Sequence, residues 1–145
     1  MRSWHSRVAL ALVLVALALA PAAAQTDLAR VLVGKWEGEV QMAGGTYPRT
    51  LIIRSVEQRG RMSMVDAAYG GKGGDYGGAG TGIEPVDLML ETVRDDVIVR
   101  FRTVENWAVK LTLYKDGKHL LGAMFIPMSR GGAQGINPVK LEKVE

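Results

Sequence analysis

From Gly34 to the C-terminus, apolar and polar residues alternate with a period of two, and that alternation confines the chain to β-structure. The pattern is clearest where Trp36, Gly38, Val40 and Met42 interleave with Lys35, Glu37, Glu39 and Gln41. A strand of this kind buries one face and wets the other. Similar segments follow at Arg49 to Glu57, Arg61 to Tyr69, Val86 to Val93, Val97 to Val104, Trp107 to Lys115, Lys118 to Ile126 and Val139 to Val144. Most are joined by short turns, and short turns connect only antiparallel neighbours. Asp116-Gly117 is the strongest hairpin signal, because a type I′ turn needs positive φ at its central residues. No crossover helices separate the strands, so a parallel α/β fold is excluded. About eight antiparallel strands form either a β-sandwich or an up-and-down barrel, and closure into a barrel removes exposed edges. The pattern favours the all-β, eight-stranded antiparallel barrel. The opposite strand faces carry Arg54, Glu91, Arg100, Arg102, Lys110 and Lys143.

Ahead of this region, Met1 to Arg7 is basic, Val8 to Ala20 is apolar, and Ala22-Ala23-Ala24 precedes Gln25. This order predicts a signal peptide over 1–24, cleaved after Ala24. The apolar run is about 13 residues long, short of the ~20 that span a bilayer, so no membrane anchoring is expected after cleavage. The expected location is bacterial, periplasmic or secreted. Residues 25–145 then form one domain, opening on a short helix that Thr26-Asp27 caps and Gly34 ends. There is no cysteine among the 145 residues, so the core alone stabilises the exported fold. The formal charge of +3 includes Arg2 and Arg7 of the leader. The remaining domain is nearly neutral, which argues against nucleic-acid binding. All 18 glycines lie beyond the leader, and eight of the thirteen residues from Gly70 to Gly82 are glycine. That stretch reads as a loop at a barrel mouth, where Tyr69 and Tyr76 meet a ligand or partner.

A short helix running into Gly34-Lys35-Trp36 on the first barrel strand resembles the calycin-like group of lipocalins, fatty-acid-binding proteins and avidins. The longer pattern Gly34, Trp36, Gly38, Val40 is similar to small lipocalin-like domains of exported bacterial proteins. So are Leu111-Thr112-Leu113-Tyr114-Lys115-Asp116-Gly117 and the alternating stretch from Val139 to Val144. The resemblance implies that Trp36 plugs one end of the barrel, with Gly34 and Gly38 as structural companions. It also implies a binding role. A biotin site built from several tryptophans is not available, since only Trp107 accompanies Trp36 in the domain.

Catalytic chemistry finds little footing. His119 is the domain's one histidine, and Ser55, Ser63 and Ser129 lie in no nucleophile-elbow motif. One histidine without cysteine is too few for a transition-metal site, and no cofactor is implied. Lys72-Gly73 is not the Lys-Ser/Thr of a phosphate loop, and Gly70-Gly71-Lys72-Gly73-Gly74-Asp75 matches only the start of a calcium repeat, with Gly77 where a large apolar residue belongs and no second copy to stack on. Alternation from Met62 and Met64 puts Asp66 on their face, read here as the interior; a buried carboxylate needs an arginine or a ligand, and a slip of one residue turns it outward. An enzyme built on Asp66 and Tyr69, a lone-acid lyase or isomerase, is supported by no catalytic constellation in the sequence.

The expected function is therefore a non-catalytic module for a small apolar or amphipathic ligand. Its candidate lining is Met62, Met64, Asp66, Tyr69, Tyr76, Phe101 and Trp107, with Met42, Met89 and Met124 as further adaptable side chains. The alternative is a filled barrel that docks on another exported protein through the glycine loop or through Arg54, Arg100 and Arg102. The sequence carries no signal for an oligomeric state.

Overall fold

The computed structural model describes residues 27–59, 62–71, 82–127 and 135–144. The predicted signal peptide, Tyr76 and most of the glycine stretch lie outside the described residues. The chain divides between Val31 and Leu32 into two compact units. Residues 27–32 are helical, and the second unit holds nine strands: β1 (Gly34–Met42), β2 (Gly45–Arg59), β3 (Met62–Gly70), β4 (Ile83–Asp87), β5 (Met89–Val93), β6 (Asp96–Arg102), β7 (Ala108–Leu113), β8 (His119–Ile126) and β9 (Gly135–Lys143).

These strands form one antiparallel sheet in the order β4-β3-β2-β1-β9-β8-β7-β6-β5. Its ends, β4 and β5, are consecutive in sequence with only Leu88 between them, so the sheet returns on itself as a nearly closed up-and-down barrel. It is not a sandwich. The expected single strand from Val86 to Val93 is present, but it changes partner. β4 pairs with β3 up to Asp66↔Asp87, and β5 pairs with β6 from Met89↔Arg100 onward. Eight strands become nine at that exchange. Val86 and Leu88 are both buried, so the side-chain alternation continues through the break while the hydrogen-bonded ladder does not.

The inward set is that of a filled core: Trp36, Val40, Leu51, Ile53, Tyr69, Val99, Phe101, Val109, Leu111, Leu120, Met124, Val139 and Leu141 are all buried. Trp36 has no exposed surface. Its indole N–H donates to the Leu32 carbonyl oxygen at 2.9 Å, and the Lys143 ammonium sits 5.6 Å from the ring centroid, close enough for a cation–π attraction. Two glycines permit close approach of neighbouring strands, Gly38 of β1 to β9 and Gly122 of β8 to β7. A Cβ on Gly38 would overlap the Lys140 carbonyl oxygen, and one on Gly122 that of Lys110.

The structure corrects the expected face of β3. Ala67 and Tyr69 point inward, so Met62, Met64 and Asp66, on the opposite face, point outward; Met62 is 72% exposed and Met64 50%. A β-bulge between Ile53 and Ser55 shifts the register of β2 against β3. There the Arg54 guanidinium meets the Asp66 carboxylate at 2.9 Å, both exposed. Met89 also lies outside rather than among the core side chains. The Asp116-Gly117 turn falls where expected but is wider than a type I′ hairpin. Gly117 has φ 68° whereas Asp116 has no positive φ. The Gly117 N–H donates to Tyr114 O at 2.9 Å and the Tyr114 N–H to His119 O at 2.8 Å.

Candidate functional site

The partner exchange at Leu88 leaves an opening in the described barrel wall. Beyond Met89↔Arg100, the β6 residues Phe101 and Arg102 have no strand partner toward β4. Between these edges lies a groove of about 650 Å³, walled by Pro85 to Asp87, by Arg100 to Arg102 and by Ala108 to Lys110. Its outer surface follows the registers. Met89, Arg100 and Lys110 stand side by side across β5, β6 and β7. Arg102, Ala108 and Phe125 do so across β6, β7 and β8. Small Ala108 between two long neighbours leaves the floor of the trough.

The charged rim is mostly basic. Arg100 Nη2 is 2.9 Å from Glu91 Oε2, yet its Nε is buried with no hydrogen-bond partner. Arg102 Nη1 donates to the Asn106 carbonyl oxygen at 3.1 Å and to its Oδ1 at 3.2 Å, bracing the β6–β7 loop, where Asn106 takes φ 65°. The Trp107 N–H donates to Thr103 Oγ1 at 3.2 Å in the same loop. Among the described residues, neither Arg102 nor Lys110 forms an ion pair. Asp87 is the acidic residue of the wall.

A second region lies at the root of the glycine stretch, where Tyr69, Gly70, Gly71 and Gly82 meet Arg49, Trp107 and Met124. The space there is only about 30 Å³, about one water's share of liquid volume. Arg49, 8% exposed, shares the inward face of β2 with Leu51 and Ile53. The Tyr69 ring packs on Phe101 at 4.8 Å between centroids, tilted by 59°. Burial pushes the Tyr69 hydroxyl up to about 12, against the opposing pull of the Arg49 guanidinium. The Tyr69 hydroxyl makes no hydrogen bond of good geometry; Arg49 acts on it mainly through its charge. A third hollow, about 480 Å³, lies by Met42, Ile126 and Ile136 and bears no charged side chain.

Of the expected site residues, Tyr69, Phe101 and Trp107 are brought together near the mouth, and Phe101 also reaches the groove wall. Met62, Met64 and Asp66 lie on the outer face of β3, and Arg54 is occupied with Asp66 rather than joining Arg100 and Arg102. His119 serves the turn. Its Nδ1 is 2.5 Å from Asp116 Oδ2 and its Nε2 is 3.9 Å from Glu142 Oε2. The Lys118 backbone N–H above all, with His119 in support, holds the Asp116 carboxyl below its ordinary value. Among the described residues, no group of three His, Cys, Asp or Glu side chains is arranged to hold a metal. Sequence reasoning missed Arg49, although its alternation with Leu51 and Ile53 marks it as inward. It also missed Ala108 and Phe125, which join the groove only through the registers of three strands. No family model, curated protein or solved structure matches this chain.

Proposed function

We propose that this chain is an exported, non-catalytic binding module that takes a small amphipathic molecule in the groove beside the β4–β5 break, rather than inside the barrel. The observation that carries this reading is the difference in room: about 650 Å³ at the break against about 30 Å³ at the mouth of the filled interior. Pockets for small molecules run from about 300 to 1,000 Å³. The lining suits an amphiphile, with Phe125, Val104 and Met89 for an apolar body and cations along the rim. The leader-like N-terminus supports export, and the resemblance of Gly34, Trp36 and Gly38 to calycin-like domains supports a binding role. A peptide adding as a strand is disfavoured. β4 offers five residues, and Pro85 at its centre has no N–H to donate.

An NMR titration with the neutral amphiphile N-phenylnaphthylamine tests this. Shifts are expected at the amides of Val104, Ala108 and Phe125, and not at Leu51, Leu120 or Leu141. Ala108→Trp, which fills the trough from an outward position, abolishes them. Shifts confined to the interior, or binding that survives Ala108→Trp, overturn the proposal. The second reading, docking on an exported protein, draws on the exposed Met62 and Met64 of β3; it gains if the amphiphile does not bind.

A further inference from the structure

Resting on the groove as a small-molecule site, we infer that it selects an organic anion: a molecule with an apolar body and a carboxylate- or sulfonate-like head. Three observations converge on this. Arg100 and Lys110 are directly opposed across β6 and β7, and like charges in that position repel unless something negative lies between them. Glu91 answers Arg100 from the β5 side, which leaves Lys110 without a counter-charge among the described residues. Arg102, two residues along β6 on the same face as Arg100, spends one nitrogen on the Asn106 oxygens and meets no carboxylate among the described residues.

The third observation is the Arg100 guanidinium itself, which lines the groove and is 43% exposed, with Nη2 engaged by a single Glu91 oxygen. A guanidinium carries five N–H donors, more than one carboxylate oxygen takes, and an anionic oxygen forms the strongest bond with those that face the groove. Asp87 opposes this on the β4 side, and with Glu91 spent on Arg100 it is one acid against Arg102 and Lys110. The head therefore belongs at the Arg100, Arg102 and Lys110 side, and the body over Ala108 toward Phe125. A neutral head fills the same trough and accepts weaker hydrogen bonds from these donors, and a cationic one is repelled.

Decanesulfonate, decanol and decyltrimethylammonium share one chain length and differ in head charge, so calorimetry below their micellar concentrations separates head from body. The sulfonate is expected to bind about tenfold tighter than the alcohol, roughly one charge-assisted contact, and the ammonium weakest. Lys110→Gln lowers the sulfonate-to-alcohol ratio about threefold, as befits an exposed cation. Arg54→Gln, on the β2 flank, leaves it unchanged. Equal binding of all three heads, or tighter binding of the ammonium, overturns the anion inference while the groove reading stands. Binding of none of them by the wild-type protein overturns both.

Discussion

One flank of the barrel is continuous and the other is divided. On the first, β9 pairs with β1 from Trp36↔Lys143 to Val40↔Val139 and with β8 from His119↔Glu142 to Ile126↔Gly135. On the second, the segment from Ile83 to Val93 gives half its length to β3 and half to β6. Both flanks bury the same alternating side chains: Trp36 and Val40 on one, Val86 and Leu88 on the other. The contrast separates two things that usually travel together. Burial sets which face of a strand points inward, and the ladder sets which neighbour it holds. Where they part company, an opening is left in the wall, and the charged groove lies there.

The largest effect should come from the continuous flank. Trp36→Ala removes the bulkiest fully buried side chain and the hydrogen bond to Leu32 O, and a loss of about 3–5 kcal/mol is expected by denaturant unfolding. Because its neighbours are laddered on both sides, amide exchange should accelerate together in β1, β2 and β9. Leu88→Ala should cost less, about 2–3 kcal/mol, and act locally. The buried leucine anchors the exchange point, so β4 and β5 should lose protection while β1 and β9 keep theirs. Uniform loss in the Leu88 variant would mean that the two flanks are one cooperative unit.

The same contrast explains what was legible in the sequence. The period of two around Trp36 announces strands and an inward face, and Asp116-Gly117 marks a hairpin. The break at Leu88 leaves no trace, since Val86, Leu88 and Leu90 alternate without interruption and a change of ladder partner has no side-chain signature. The width of the turn was equally hidden, because it depends on Asp116 accepting the Lys118 N–H at 2.8 Å. Met62 and Met64 were misplaced for another reason. Alternation says only that they share a face, and the choice of inward face fell to small Ala67 and to Tyr69. Arg49 is legible from its alternation with Leu51 and Ile53, which marks it as inward. The groove was out of reach, because Arg100, Ala108 and Phe125 become neighbours only through registers that no single strand encodes.

The smallest expected effect compares two polar groups in one cross-strand row. Trp36 pairs with Leu51, and Leu51 with Tyr69. At one end the indole N–H has its acceptor; at the other, on the divided flank, the Tyr69 hydroxyl has none. Tyr69→Phe should therefore leave stability at neutral pH unchanged or raise it by about 1 kcal/mol, because an unmade buried hydrogen bond disappears with the hydroxyl. The alkaline limb is sharper. With the hydroxyl pushed up from 10.0 to about 12, the folded protein keeps a proton that the unfolded chain has already lost. Stability from this group is complete below pH ~10 and falls as pH rises toward ~12, at roughly 1.4 kcal/mol per unit. Unfolding curves of the wild type and Tyr69→Phe should thus run parallel up to pH ~10 and diverge above it, with the phenylalanine variant the more stable. A Tyr69→Phe protein that is weaker at pH ~7 by more than about 1 kcal/mol would reveal an acceptor for the hydroxyl, and the two ends of the row would then be equally satisfied.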